Sequence, residues 1–383
     1  MRRLKKNNVK CVLSIMMLLI CAISVMAREN GVVIGQEGIA DSHTDSIVAD
    51  THAAASRKLS WIRRVVRGFS KIDTNYIEPQ AYNFTVMLQN TTSFEGYTMR
   101  FDNGNGVRFS PRPSYKLGPY VGWRWIFLGY TLDLRATGGG ARQALNLSLY
   151  ANQVGIDLFL RKSGSNYRIG RVKLFPGYDA SLMRNTEFDG FSSSESGFNF
   201  YYIFNHKKFS YPAAYSQSTI QKVSCGSALA GVSYSRHTLN IDWQELYQLL
   251  DEKIGEGTAA ANLDTTIHRA NAHYTDFSLS GGYAYNWVFA KHWLFDVSLQ
   301  LALGYKQSHS DVAGRRERFF RDFSFHNFNV DGVGRVGLVW NNMRWYAGAS
   351  AIFHTYNYRR QRFRSNTTFG NVNIYVGFNF GKR

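Results

Sequence analysis

Cysteine is scarce in this chain, acid is outnumbered by base, and long apolar runs stop early. Three cysteines occur in 383 residues. Two of them, Cys11 and Cys21, sit in an N-terminal apolar run that reads as removable, which leaves Cys225 alone. One exported thiol cannot close an internal disulfide, so Cys225 reads as a small packed residue. No stretch beyond Met26 is apolar for the roughly 20 residues that a membrane-spanning helix needs. If the chain crosses a membrane it must do so as a β-barrel, the other structure that satisfies every backbone group in lipid. Also missing are a Gly-x-Ser-x-Gly elbow, a phosphate-binding Gly-x-x-x-x-Gly-Lys loop and a His-Glu-x-x-His pair. These absences argue against the common hydrolase, nucleotidase and metalloprotease chemistries. His268 and His273, five apart, do not suit one helical face as metal ligands, and the sequence calls for no cofactor.

The chain begins with a basic stretch (Arg2, Arg3, Lys5, Lys6, Lys10), then the apolar run from Cys11 to Met26, then Ala27. That is the layout of a secretory signal over residues 1–27. Its removal takes away five cations and no acid, lowering the formal charge from +18 to +13. Residues 28 to about 56 are polar and aperiodic, a linker. Over Arg57–Phe69, Leu59, Ile62, Val66 and Phe69 recur at helical spacing away from Arg63, Arg64 and Arg67, a short basic amphipathic helix. Linker and helix together fill residues 28–80, on the periplasmic side of a barrel over 81–383.

From Tyr82 the period becomes two. Phe277, Leu279, Tyr283, Tyr285, Trp287 and Phe289 share one face, and Phe295, Val297, Leu299, Leu301 and Leu303 the next. Ser278, Asn286, Asp296, Ser298, Gln300, Lys306, Asp331 and Arg335 alternate with them. A soluble sandwich would bury the apolar face; an outer-membrane barrel turns it to lipid and keeps the polar face inside. Alternation alone does not separate the two. Tryptophan tips the balance, because Trp123, Trp125, Trp287, Trp293, Trp340 and Trp345 flank tight reversals, forming an interface girdle. The reading is an all-β, antiparallel up-and-down transmembrane barrel of about 12 strands, within 10–14. Strands are expected at 82–102, 106–125, 127–137, 143–162, 165–174, 197–205, 220–239, 275–289, 293–308, 327–340, 344–358 and 369–380. Connections alternate short and long, the long ones at 175–196, 240–274, 309–326 and 359–368. The 206–219 connection breaks the pattern, being long at the periplasmic end. Over 143–162 the apolar phase slips, requiring a bulge or an extra turn.

Three segments carry a resemblance. They are Lys71-Ile-Asp-Thr-Asn-Tyr76-Ile-Glu-Pro79, the run Tyr115-Lys-Leu-Gly-Pro119 leading into Trp123-Arg-Trp125, and Phe209-Ser-Tyr-Pro212-Ala-Ala-Tyr215. Together they resemble a domain-of-unknown-function group of exported outer-membrane barrel proteins from gut-type Gram-negative bacteria, over roughly residues 70–383. The resemblance implies a barrel and carries over no functional residue. Phe378 and Phe380 fit the closing aromatic pair of a barrel-assembly signal, while Tyr375 stands where such a signal has glycine. The assembly machinery is therefore an expected partner during insertion.

The sharpest chemical feature is a pair of arginine clusters. Arg315, Arg316, Arg318 and Arg321 fall in one expected external loop, and Arg359, Arg360, Arg362 and Arg364 in another. Guanidinium groups bind phosphate and carboxylate in a bidentate fork, so outer-membrane lipid and lipopolysaccharide are the natural ligands. Export argues against nucleic acid despite the basic charge. Asp133, Arg135, Asp296, Lys306, Asp331 and Arg335 fall on the inward face. There they either line a narrow polar pore or pair to brace a blocked lumen. Three functions compete: a binding or structural barrel, a narrow solute channel, and a lipid-modifying hydrolase. Ser308-His309-Ser310-Asp311, or His237 with Asn240, would supply the hydrolase's nucleophile and base. The first is preferred, with no enzymatic activity. Asp242–Glu252 reads as a short helix whose Leu246, Leu249 and Leu250 pack on the barrel rim.

Overall fold

The computed structural model describes residues 72–101, 104–123, 126–129, 132–133, 143–162, 167–174, 178–262, 269–309, 327–360 and 363–382. The signal segment, the residue 57–69 helix, Trp125, Arg135, the whole 315–321 cluster and Arg362 lie outside the described residues. Ile72–Arg383 forms one compact unit, so residues 72–80, expected to be linker, belong to the folded body.

β1 (Ile77–Pro79) and β2 (Tyr82–Phe101) open that unit. β3 (Gly106–Pro111), β4 (Ser114–Trp123), β5 (Ile126–Gly129) and β6 (Leu132–Asp133) follow, then β7 (Gln143–Tyr150) and β8 (Val154–Lys162). β9 (Tyr167–Lys173) and β10 (Thr186–Phe188) lead to β11 (Phe191–Ile203). Next come α1 (Tyr211–Tyr215), β12 (Thr219–Gln221), β13 (Cys225–Asp242), α2 (Trp243–Lys253) and α3 (Thr258–Asn262). A meander of β14 (Arg269–Ala290), β15 (Trp293–His309), β16 (Phe328–Asn341), β17 (Trp345–Arg360) and β18 (Phe363–Lys382) completes the chain.

Sixteen strand segments join one antiparallel sheet. They occupy twelve positions round a wall, because β5 and β6 both pair with β4, and β3, β9 and β10 extend the outer end of β2. The last strand pairs with the first, from Lys382↔Tyr82 to Phe363↔Phe101. Among wall neighbours only the β6–β7 contact is left, and residues 134–142 between those strands lie outside the described residues. The sheet curls on itself: Arg335 of β16 is ion-paired with Asp157 of β8, five positions away, and Arg161 of β8 with Glu95 of β2.

The polarity of this wall is inverted. Leu299 is 57% exposed while its neighbour Gln300 is 1% exposed. The same holds along β14–β18, where Leu279, Leu301, Leu303, Val330 and Ile374 point outward. Asn286, Asp296, Lys306, Asp331 and Arg335 are buried inside. Such a wall is stable only if lipid covers its apolar face. The protein is a transmembrane antiparallel β-barrel, and it crosses the membrane with strands.

Both ends of the wall, Tyr82 and Lys382, lie at the rim that carries the short turns, which in bacterial barrels is periplasmic. Trp293 and Trp340 face each other across β15 and β16 there, and Trp345 packs on Phe378 with ring centroids 4.6 Å apart. Trp287 and Trp345 are exposed at the same rim. Trp123 ends β4 beside Ile126 of β5. The turn between β16 and β17 is closed by asparagine: Asn342 Oδ1 accepts from the backbone N–H of Arg344 and Trp345, at 3.2 and 2.7 Å. Asn favours this geometry because its short amide mimics a backbone turn.

Further expectations need correction: the 106–125 strand is two, β3 and β4, and the 175–196 connection holds β10 and the start of β11. The 143–162 segment is two strands, β7 and β8, reversing over residues 151–153; the slipped phase marked an extra turn. The expected 165–174 strand, β9, leaves the wall to pair with β3 and β10. Residues 359–368 are not a long loop, since β17 and β18 pair out to Arg360↔Phe363. The irregular 206–219 connection folds inward and puts α1 inside the barrel.

Candidate functional site

The inward face builds three layers. In the middle, Arg335 pairs with Asp157, and its Nη1 donates to Gln300 Oε1 at 2.8 Å. Its guanidinium lies 4.8 Å from the Tyr201 ring centre. Tyr201 can lean there because Gly155 stands opposite, where a Cβ would fall 2.1 Å from the ring. Lys306 Nζ sits 2.8 Å from Asp331 Oδ2 and 3.7 Å from Asp276 Oδ2, and donates to the Asn357 carbonyl at 2.7 Å. Arg161 lies over Phe369 at 4.1 Å, beside a stack of His354 and Tyr356. Charges this deep are tolerated only when paired and hydrogen-bonded. A cavity of about 10 Å³ among Asn199, Ser233, Ser278, Gln300 and Asp331 has room for about one water.

At the periplasmic end, α1 plugs the lumen. Ser210 caps it, its Oγ accepting from Ala213 N, and Pro212 sits in the first turn, where a missing N–H costs nothing. Asn286 Nδ2 donates to the Ser210 carbonyl at 2.9 Å, and the Tyr215 hydroxyl donates to Asp296. Gln217 Nε2 donates to the Tyr375 hydroxyl at 2.8 Å. Burial, and then the Asp296 charge, raise the Tyr215 hydroxyl well above its ordinary range, so it stays a neutral donor. β1 and β12 form a two-stranded ribbon joining this plug to the start of the unit.

At the outer end, a hydrophobic cluster forms a cap. α2 starts at Asp242, whose Oδ1 accepts from Gln244 N and Glu245 N. It buries Trp243, Leu246 and Leu250 against Met99, Phe109, Ile169, Met183 and Phe191, with Leu249 packed at the edge. The helix expected at Asp242–Glu252 is therefore present, on the rim.

Of the expected lumen residues, Asp296, Lys306, Asp331 and Arg335 converge inside. Asp133 of β6 stands opposite Lys116 of β4 in the strand register. Of the two pairings considered for a hydrolase, Ser310 and Asp311 lie outside the described residues; in the other, His237 is buried in the lumen, while Asn240, three residues on, donates to Ser192. His237 Nε2 instead meets Ser235 Oγ at 2.9 Å, with Glu195 Oε1 3.9 Å from Nδ1. That order of groups is buried beneath the cap, and the third distance exceeds a hydrogen bond. Of the expected outer arginines, Arg359 pairs with Arg364 across the β17–β18 hairpin, and Arg360 is paired with Phe363. Arg100, Arg108, Arg171 and Lys173, exposed beside them on the outer wall, are not evident from sequence, because only the strand register brings them together.

The antiparallel wall whose last strand pairs with its first, the inverted polarity and the tryptophan rim define an outer-membrane β-barrel protein. The chain belongs to the family described as Domain of unknown function (DUF4421), whose model matches residues 71–380. No curated protein matches it. Among solved structures it is similar to the toluene transporter TodX of P. putida, at 11% identity, covering 79% of this chain and 91% of that one, with a TM-score of 0.21. It is also similar to the translocator domain of the autotransporter NalP from Neisseria meningitidis, at 12% identity, 87% and 98% coverage and a TM-score of 0.28. A third is OprG from Pseudomonas aeruginosa, at 8% identity, 79% and 98% coverage and a TM-score of 0.24.

Proposed function

We propose that this protein is a non-conducting outer-membrane barrel of binding or structural type, without enzymatic activity, that works through its outer surface. One observation carries the reading: the lumen is occupied along its length, by the α1 plug, the Arg335 and Lys306 ion pairs, and the α2 cap. A conduction path would have to cross all three. The outward arginines fit anionic envelope ligands, lipopolysaccharide among them, since guanidinium binds phosphate and carboxylate in bidentate pairs. Export through residues 1–27 and insertion by the barrel-assembly machinery belong to the same reading. A narrow solute channel is the second reading. It is favoured by the shortness of α1, a five-residue helix whose displacement would open the periplasmic end. Vesicles reconstituted with the full-length mature protein should retain entrapped potassium and small sugars as protein-free vesicles do. Rapid solute loss at low protein density would favour the channel.

A further inference from the structure

Outside the membrane belt, the strand register lines up cations that sequence leaves scattered. One cross-strand row runs Arg359↔Arg364↔Arg100↔Gly106↔Lys173 over β17, β18, β2, β3 and β9. The next row towards the membrane contains Arg108↔Arg171. Residues directly opposite in antiparallel strands project to the same face. All six cations are exposed, whereas the alternate residues Tyr97, Met99, Val107 and Tyr358 are buried on the other face. Like charges placed directly opposite destabilise a sheet, yet three such pairs stand here: Arg359–Arg364, Arg364–Arg100 and Arg108–Arg171. Among the described residues no carboxylate pairs with any of the six. By contrast Arg168, one pleat further towards the membrane, is paired with Glu187. Among the described residues such a ladder concentrates positive charge on one exposed face, and a field of that sign attracts anions.

Depth identifies the anion. The outward face below the ladder passes through Thr98, Asn366 and Asn357 to the aromatic pair Phe94–Phe353, then to the apolar belt. Arg108 and Arg100 lie on the outer extension of that same lipid-facing surface. At about 3.4 Å per residue on tilted strands, they stand roughly 10–15 Å above Phe94. A ligand held there must be anchored in the outer leaflet and carry negative charge some way above its acyl chains. We infer that Arg100, Arg108, Arg171, Lys173, Arg359 and Arg364 form a binding site for the phosphorylated head of an outer-leaflet glycolipid, held against the outside of the barrel. This rests on the reading of the outer surface as the working face, and it assigns that face a ligand and a location.

The test uses the full-length mature protein in non-ionic detergent, titrated with diphosphoryl lipid A, with lipid A stripped of phosphate, and with inorganic phosphate as competitor. Replacing all six cations with glutamine should weaken diphosphoryl lipid A binding by roughly tenfold or more, since charge-assisted forks supply the contacts. Heat-modifiable gel migration should stay that of the folded barrel. The parent's binding should fall with salt, because exposed charges are screened over about 8–10 Å. Lysine at the five arginines should restore only part of the affinity, since it lacks the planar fork. Unchanged affinity in the folded glutamine variant would overturn the site. So would equal binding of phosphate-free lipid A, or displacement by millimolar inorganic phosphate, which would mean recognition of free anions. Vesicle retention of potassium separates the two levels. A leaky parent that still loses lipid A binding on substitution defeats the sealed-barrel reading and spares the site. A tight parent whose substituted form binds normally does the reverse.

Discussion

The barrel carries a helix at each end, and the two are held by different chemistry. The periplasmic plug is a five-residue helix tied to the wall by side-chain hydrogen bonds as well as by packing: Asn286 to the Ser210 carbonyl, Tyr215 to Asp296, Gln217 to Tyr375. The outer cap is an eleven-residue helix held by apolar burial, with Trp243, Leu246 and Leu250 in a cluster drawn from six strands or more. Hydrogen bonds are directional and cost most when one partner is left behind. Apolar burial is non-directional and scales with area. The plug therefore combines a few defined bonds with the burial of Tyr211, Ala213 and Ala214, whereas the cap is set mainly by volume. Between them lies a brace of paired charges, touching the plug through Tyr201 and Tyr211.

The brace sets the largest expected effect. Arg335→Met leaves Asp157 buried without its partner and should cost about 3–5 kcal/mol in urea unfolding from micelles. Adding Asp157→Asn should recover most of it, because neutral partners no longer require compensation. If the single substitution is harmless, the charges are not bracing the lumen. In the cap, Leu246→Ala should cost about 2–5 kcal/mol locally, by cavity formation. Limited proteolysis should show faster cleavage within 243–262 while the wall strands stay protected. Simultaneous loss of wall protection would mean that cap and barrel are one cooperative unit.

At the plug the expected effects are smaller and more specific. Tyr215→Phe strands the buried Asp296 carboxylate and should cost about 1–3 kcal/mol. Tyr215→Phe with Asp296→Leu should cost less than Tyr215→Phe alone, a coupling that a purely steric plug would lack. The smallest effect tests the start of α2. Asp242→Ala removes the side chain that accepts from Gln244 N and Glu245 N, and should cost about 1 kcal/mol. Asp242→Ser should cost less, and equal losses would mean that the cap helix does not depend on its N-terminal bond.

The difference between the two closures also explains what could be read beforehand. α2 announces itself: Asp242 is a capping residue, and Leu246, Leu249 and Leu250 repeat at helical spacing. α1 does not, because five residues are too few to show a period, and its partners Asn286, Asp296 and Tyr375 are far away in sequence. The wall was legible as alternation in Phe277–Phe289 and Phe295–Leu303. Which face met lipid had to be argued from tryptophan and the export-like N-terminus, since a sandwich and a barrel share the same pattern. The slipped phase in 143–162 was visible, but periodicity alone did not say that it was a turn. The outer basic ladder was hidden for a related reason. Arg100, Arg171 and Arg364 become neighbours only through strand register, which a single sequence does not display. In the sequence Arg359 and Arg364 read as members of a loop cluster; the register makes them facing rungs.

The central claim is that three layers seal the lumen, and planar-bilayer recording tests it most directly. The full-length mature protein should give no stable, reproducible current steps. A variant in which residues 208–222 are replaced by a short glycine-serine turn should remain non-conducting as well, because the Arg335–Asp157 brace and the cap stay in place. Combining that change with Arg335→Ala, Lys306→Ala and removal of residues 243–262 should open a measurable conductance. Discrete, reproducible openings from the unmodified protein would contradict the account and make the inward charges a pore lining.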